Sequence, residues 1–273
     1  MSYVDADHKT RRAIAGLLSI AHLRGDAHIV SCLGTIEILC SLFNLDFDFQ
    51  SDILVISKGH ASLALYASLV EYNQISKEEF LSFRTEKSQI GVHVSGKMGN
   101  LSRLSSGSLG HGIGFASGIA LSKKMRNEEG NVYVVVGDGE LNEGSNYEAL
   151  QIASLNQLGN LRILVDHNKV QSVATYEEVS GQLSLEQKLK AFGCETYSID
   201  DMRNLNGILK ESLALEGKPL AIVCDTTTRS LVPSMQRKVV WHYRKPSLED
   251  LKVVFDELNL HEIAADYAKL VNL

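Results

Sequence analysis

Proline is nearly missing from this 273-residue chain: three occur, all in the last quarter, at Pro219, Pro233 and Pro246. No Pro/Gly/Ser linker, charge block or internal repeat divides the sequence, so a single domain over residues 1–273 is expected. An excess of positive charge is lacking too. The formal net charge of −6 leaves no footprint for nucleic acid or an anionic membrane. No uninterrupted apolar stretch approaches the roughly 20 residues of a membrane span. The opening residues, Met1 to Asp7, hold no basic region followed by an apolar one, so no signal peptide is expected. The four cysteines, Cys32, Cys40, Cys194 and Cys224, form no C-x-x-C pair and imply reduced, buried thiols in a cytoplasmic protein. What remains, 44% hydrophobic and 22% charged, is ordinary for a globular protein.

What the chain does hold is a series of short, β-branched runs at residues 53–56, 132–136, 161–165 and 220–224. Runs of this length without strict alternation suit strands buried on both faces of a parallel sheet. Helical patterns lie among them at 10–24, 109–126, 145–157, 185–192 and 205–215. The expected fold is therefore α/β, an open and mainly parallel sheet with helices on both faces. From Ser247 onward the tail reads as two amphipathic helices, the first capped by Ser247 with Asp250.

Ligands of such sheets gather at the carboxyl ends of strands. Two runs end there in polar residues, Gly137-Asp138-Gly139 and Asp166-His167-Asn168. Gly139 lets the backbone approach a ligand and offers its N–H to a phosphate. Asp138, Asn168 and a loop carbonyl suit Mg²⁺ or Ca²⁺ that draws its other ligands from water and a diphosphate. The cluster Gly110-x-Gly112-x-Gly114 follows no buried strand and is not a dinucleotide fingerprint.

The spacing from G-D-G to Asn168 resembles the thiamine diphosphate motif, and nearly all of the chain resembles the diphosphate-binding domain of transketolase. The resemblance implies thiamine diphosphate with Mg²⁺ or Ca²⁺, the metal held by Asp138, Asn168 and the carbonyl of Val170. It places Gly137 and Gly139 against the cofactor. Ser57-Lys58-Gly59-His60-Ala61 resembles S-x-G-H-x, whose histidine contacts the diphosphate. Ala27-His28 resembles the S-G-H-x-G segment of the substrate channel, and Gly91-Val92-His93 stands where the family meets its donor ketose. Ser106 to Gly112 resembles T-G-S-L-G-Q-G, which implies cofactor contacts from Gly107 and Leu109. Trp241-His242-Tyr243 resembles the late W-H segment over the thiazolium. Glu143 and Glu148 keep the acidic positions that link paired active sites across a dimer. The implied catalytic set is His28, His93, His242 and Glu143, with His60, Asn168, Glu143 and His242 also at the cofactor. His8, His22, His167 and His261 read as surface or packing residues, and His111 as intermediate, since it replaces a glutamine near the cofactor.

Departures from the family pattern fall on the substrate side. Ile29-Val30-Ser31 replace Pro-Gly-Gly after His28, Val94 replaces proline after His93, and Arg103 replaces a glutamate. The guanidinium of Arg103 is expected to admit an anionic substrate outside the usual pentose phosphates. The family's pyrimidine-binding domain has no counterpart here. The resemblance thus implies the N-terminal subunit of a split transketolase, an α2β2 heterotetramer with a C-terminal, pyrimidine-binding subunit, acting on sugars or sugar phosphates. Alternatives are transfer of an acyl or ketol unit onto an unusual or nucleotide-activated sugar, and a non-catalytic regulatory paralogue.

Overall fold

All four β-branched runs become strands, and a fifth joins them. The structure, a computed structural model, describes residues 3–25, 28–44, 47–181, 183–212 and 217–273. In chain order the elements are α1 (Tyr3–Arg24), α2 (Ile29–Phe43), β1 (Ile53–Ile56), α3 (Ser62–Glu71), α4 (Lys77–Leu81), α5 (Gly112–Arg126), β2 (Val132–Gly137) and α6 (Gly144–Leu155). They continue as β3 (Leu161–His167), α7 (Tyr176–Ser180), α8 (Leu185–Ala191), β4 (Glu195–Ile199), α9 (Leu205–Ser212), β5 (Leu220–Asp225), α10 (Leu248–Glu257), α11 (Leu260–Ile263) and α12 (Ala265–Leu270). The strands pair in the order β1-β2-β3-β5-β4, every pair parallel.

Side-chain alternation divides the core cleanly. Leu54, Ile56, Tyr133, Val135, Leu164 and Ile222 pack with α1, α2, α3 and the carboxyl-terminal helices. Val55, Val134, Val136, Ile163, Val165 and Val223 face the other way, against α5, α6 and α8. Both faces are buried, so neither face of the runs carries polar residues. All four cysteines are free and buried.

Several elements depart from the expected boundaries for identifiable reasons. The helix expected from residue 109 begins at Gly112, because Gly110 at φ 88° has a left-handed backbone that no helix accepts. The tail splits into α10, α11 and α12, interrupted by Asn259 at φ 51° and by Ala264 at φ −129°. The capping box of Ser247 and Asp250 is formed. Residues 213–215 of the helical pattern from 205, and Ala27, lie outside the described residues. Among the described residues no helix is long and apolar enough to cross a membrane.

Candidate functional site

In the parallel ladder Gly137 lies opposite Asp166, so the residues following β2 and β3 emerge at one edge of the sheet. Asp138 is only 2% exposed there. Its Oδ1 accepts the Gly139 N–H at 2.7 Å, and its Oδ2 accepts the Lys169 N–H at 2.9 Å. The Gly139 N–H, expected to face a phosphate, is thus engaged by the neighbouring carboxylate. His167 Nδ1 lies 2.9 Å from Asp138 Oδ2, and the ring packs edge-on against Tyr176. His167 is therefore part of the site, not the peripheral residue expected from the sequence.

Asn168 is buried beside it. Its Oδ1 accepts the Val170 N–H at 3.0 Å, and its Nδ2 reaches Asp166 Oδ2 at 3.4 Å. Asp166 pairs with Lys58 and accepts from Thr226 Oγ1 at 2.7 Å. This ion pair is sealed, with side chains 1% and 0% exposed. A carboxylate only accepts, so Asp166 holds the nitrogen end of the Asn168 amide and turns its oxygen the other way. Val170 is buried and bridges Thr175, which fixes the loop after β3.

A second acid organises the adjoining loops. Glu140 is buried, and its carboxylate accepts from Ser57 Oγ, from Gly110 N–H at 2.9 Å and from Gly137 N–H at 3.2 Å. Ser57 Oγ in turn accepts the Gly112 N–H at 3.0 Å. Burial pushes the Glu140 carboxyl above the usual carboxylate range. The ends of β1 and β2 and the glycine segment before α5 are thereby tied to one side chain. Glycine is required at two contacts: a Cβ on Gly112 would lie 2.2 Å from Ser57 Cβ, and one on Gly59 would lie 2.7 Å from the Ser106 carbonyl.

The expected histidines converge beside these loops. His28 caps the start of α2 in a left-handed conformation, φ 62°, and its N–H donates to the His242 carbonyl at 3.3 Å. Its ring lies 5.2 Å from that of His60 and 6.2 Å from that of His242. His93 stands next to Gly107, 3.8 Å from the position of a glycine Cβ, and is close enough to influence His60 electrostatically. Burial, the Lys58 charge and the neighbouring imidazoles hold His60 well below the ordinary histidine range. Burial, with His28 and Lys58, brings His242 down to about 4. Both rings are therefore neutral at pH 7. His242 Nδ1 and Ser106 Oγ are buried without hydrogen-bond partners.

The His242 shift has a sign that can be measured. Its ordinary value is 6.5, so between pH 6.5 and about 4 the unfolded chain binds a proton there that the folded chain does not. Its stabilising share is complete above pH 6.5 and is lost as pH falls. Glu37 acts in the opposite direction: burial raises it to about 8, and the folded chain keeps its proton down to the ordinary value of 4.5. The histidine share is thus isolated as a difference. Wild-type minus His242→Asn stability, from denaturant unfolding, is expected to be constant above pH 6.5 and to shrink toward pH 4. A pH-independent difference would show that His242 titrates normally.

The remaining expected residues take varied places. Gly107 is exposed and Leu109 half-buried on the segment entering α5. Glu143 and Glu148 are exposed at the start of α6, Glu143 pressed so closely on Gly110 that a Cβ there would come within 2.6 Å. His22 and His261 hold the Pro246 carbonyl and Asp256 away from the site, while His8 and His111 are exposed. Arg103 does not join the histidines. The segment folds back at Gly96, and Arg103 donates to Asn100 Oδ1 at 2.6 Å. It lines a cleft with Gln50, Ser51 and Ile53, at the amino end of β1, so the anionic-substrate role expected for it is withdrawn.

Asp138 and Asn168 supply two hard oxygen donors, with Val170 on the same loop. Among the described residues no group of three or more His, Cys, Asp or Glu could hold a metal. Such a sparse donor set fits a small, hard cation that shares its shell with a ligand's oxygens. The unpartnered His242 Nδ1 and Ser106 Oγ fit a polar ligand in the same region, because buried polar atoms are seldom left unpaired.

Comparison with known proteins agrees with this geometry. Residues 43–253 match the family described as transketolase, thiamine diphosphate binding domain. One of the subunits of the apulose-4-phosphate transketolase of Actinobacillus succinogenes is 30% identical over 271 residues, covering 94% of this chain and 97% of that protein. Human transketolase is 31% identical over 228 residues, 80% of this chain but 36% of its own length. The solved transketolase of Campylobacter jejuni superposes with a TM-score of 0.82 at 23% identity, over 100% of this chain and 47% of that one. The Pichia stipitis enzyme gives 0.81 at 23%, over 98% and 44%. These two likenesses establish the fold, and this chain spans under half of either enzyme. With the family match and the 30% identity along nearly a whole relative, the chain belongs to the transketolase family and carries its thiamine diphosphate-binding domain.

Proposed function

We propose that this chain, as one domain over residues 1–273, is the diphosphate-binding subunit of a two-subunit transketolase moving a two-carbon ketol unit from a ketose to an aldehyde. The observation that carries the reading is the β2–β3 register, which sets Asp138 and Asn168 at one edge beside the histidine cluster. Asp138, Asn168 and the Val170 carbonyl hold Mg²⁺, or Ca²⁺ in its place. Gly137, Gly139 and His60 face the diphosphate, and Gly107, Leu109 and His242 the cofactor rings. Thiamine diphosphate, when bound, supplies a carbon nucleophile and an electron sink.

The chain's own groups position reactants and handle protons. His60 and His242 are neutral at pH 7, so each ring can donate at one nitrogen and accept at the other. His242 Nδ1 has no protein partner and is free to meet a substrate or cofactor atom. His28 and His93 complete a lining of imidazoles suited to hydroxyl and carbonyl oxygens. Glu143 and Glu148, exposed at the start of α6, are assigned to contact with a second copy and to coupling of paired sites. Support for the heterotetramer and its second component comes from two relatives that each form one part of a multi-subunit transketolase, matched over 97% and 90% of their lengths. Those relatives are transketolases of apulose 4-phosphate by name, which supports a sugar phosphate outside the usual pentose phosphates.

Calorimetry on the chain assembled with its partner tests the cofactor site. Thiamine diphosphate binding is expected to require Mg²⁺, and Asp138→Ala and Asn168→Ala are each expected to weaken it by about 100-fold or more with unchanged circular dichroism. Unchanged affinity in both variants rejects the metal assignment.

A further inference from the structure

A cavity of about 440 Å³ lies among α1, α2, α9 and the segment after β5. Its wall includes residues that follow β4 and β5, so it opens on the same strand-end edge as the histidine cluster. None of His28, His60, His93 or His242 lines it. Along α2, Glu37 in its wall stands about 13 Å from His28 by helix rise.

The wall combines polar atoms that the chain itself leaves unsatisfied. Asn44 and Asn206 both have a buried Oδ1 with no hydrogen-bond partner. Glu37 is 6% exposed and accepts the Leu231 N–H at 3.2 Å. Burial raises it to about 8, so at neutral pH its carboxyl carries a proton and brings no full negative charge. Charge in the wall is uneven. Asp7 is matched by Arg11, while Asp201 serves both Arg203 and Arg229. Arg229 reaches that shared carboxylate through Nη1 at 3.2 Å, which leaves most of its N–H groups for an incoming acceptor.

Unpaired amide oxygens call for donors, and hydroxyl groups supply them. A guanidinium with donors to spare calls for an anion whose oxygens can take forked N–H groups, as a phosphate does. A cation is disfavoured by the same arginines. The volume lies within the ~300–1,000 Å³ range of small-molecule sites. We propose that this cavity is a second binding site for a small phosphorylated polyol, its hydroxyls on Asn44 and Asn206 and its phosphate on Arg203 and Arg229. The site stands apart from the cofactor reading and survives the failure of that reading.

Glycerol 3-phosphate is the probe, titrated calorimetrically into the full chain without thiamine diphosphate. Saturable binding is expected, weakened about tenfold or more in Arg229→Ala and in Asn206→Leu and unchanged in His60→Ala. Arg229 is exposed, so its replacement leaves the fold intact, and thermal melts verify both variants. Glycerol and inorganic phosphate, tested singly, are expected to bind more weakly than the joined molecule. Absence of saturable binding, or equal binding by both cavity variants, overturns the proposal. Loss of binding in His60→Ala instead places the probe at the histidine cluster, and phosphate binding as tightly as glycerol 3-phosphate removes the polyol; either result also overturns it.

Discussion

Supplied with thiamine diphosphate, Mg²⁺, a ketose phosphate and an aldehyde, the purified chain is expected to turn over at background. Addition of a pyrimidine-binding subunit is expected to raise the rate by about 10³-fold or more, the scale of a missing acid–base group. Thiamine chemistry needs a carboxylate on the pyrimidine, and the acids near the histidines are already occupied. Asp138 is held by Gly139, Lys169 and His167, Asp166 by Lys58 and Thr226, and Glu140 by Ser57, Gly110 and Gly137. The chain also spans only 36% of human transketolase, so much of that enzyme lies outside the matched region. The measurement is product formation by mass spectrometry, with the two components separate and then combined. Robust turnover by the single chain would refute the two-component reading.

The central strands were legible because each is buried on both faces and reads as an unbroken β-branched run. β4 was not, because Glu195–Ile199 is an edge strand mixing buried and exposed positions and holds no such run. α2 escaped for the opposite reason. All of Ile29–Phe43 except Ser41 is buried, so its sequence is apolar all round and shows no amphipathic period. The site divides in the same way. Asp138, Asn168 and the histidines stand out as polar residues at strand and helix ends. Lys58, Asp166 and Glu140 lie beside those motifs, yet their pairing depends on contacts 108 and 83 residues apart, which no local pattern reports. Arg103 shows the converse: adjacency to a motif in sequence did not survive the reversal of the chain at Gly96.

The Lys58–Asp166 pair is where stability and ligand binding meet. Both side chains are sealed from solvent, and removing one partner strands the other charge. Lys58→Met is therefore expected to destabilise the fold by about 3–5 kcal/mol, measured by denaturant unfolding. Lys58→Met/Asp166→Asn removes both charges with little change in volume, and most of that stability is expected to return. Metal-dependent binding should not return with it. Asp166 holds the nitrogen end of the Asn168 amide, and an amide at position 166 offers that nitrogen a weaker and less directional acceptor. Loss of an orienting partner around a metal ligand typically costs 10–100-fold in affinity. The double variant is thus expected to fold nearly as well as wild type while binding thiamine diphosphate with Mg²⁺ about tenfold or more weakly in the assembled enzyme. A double variant that regains stability and affinity together would make the pair a packing feature with no hold on Asn168. One that regains neither would mean that charge in this pocket is itself required for the fold.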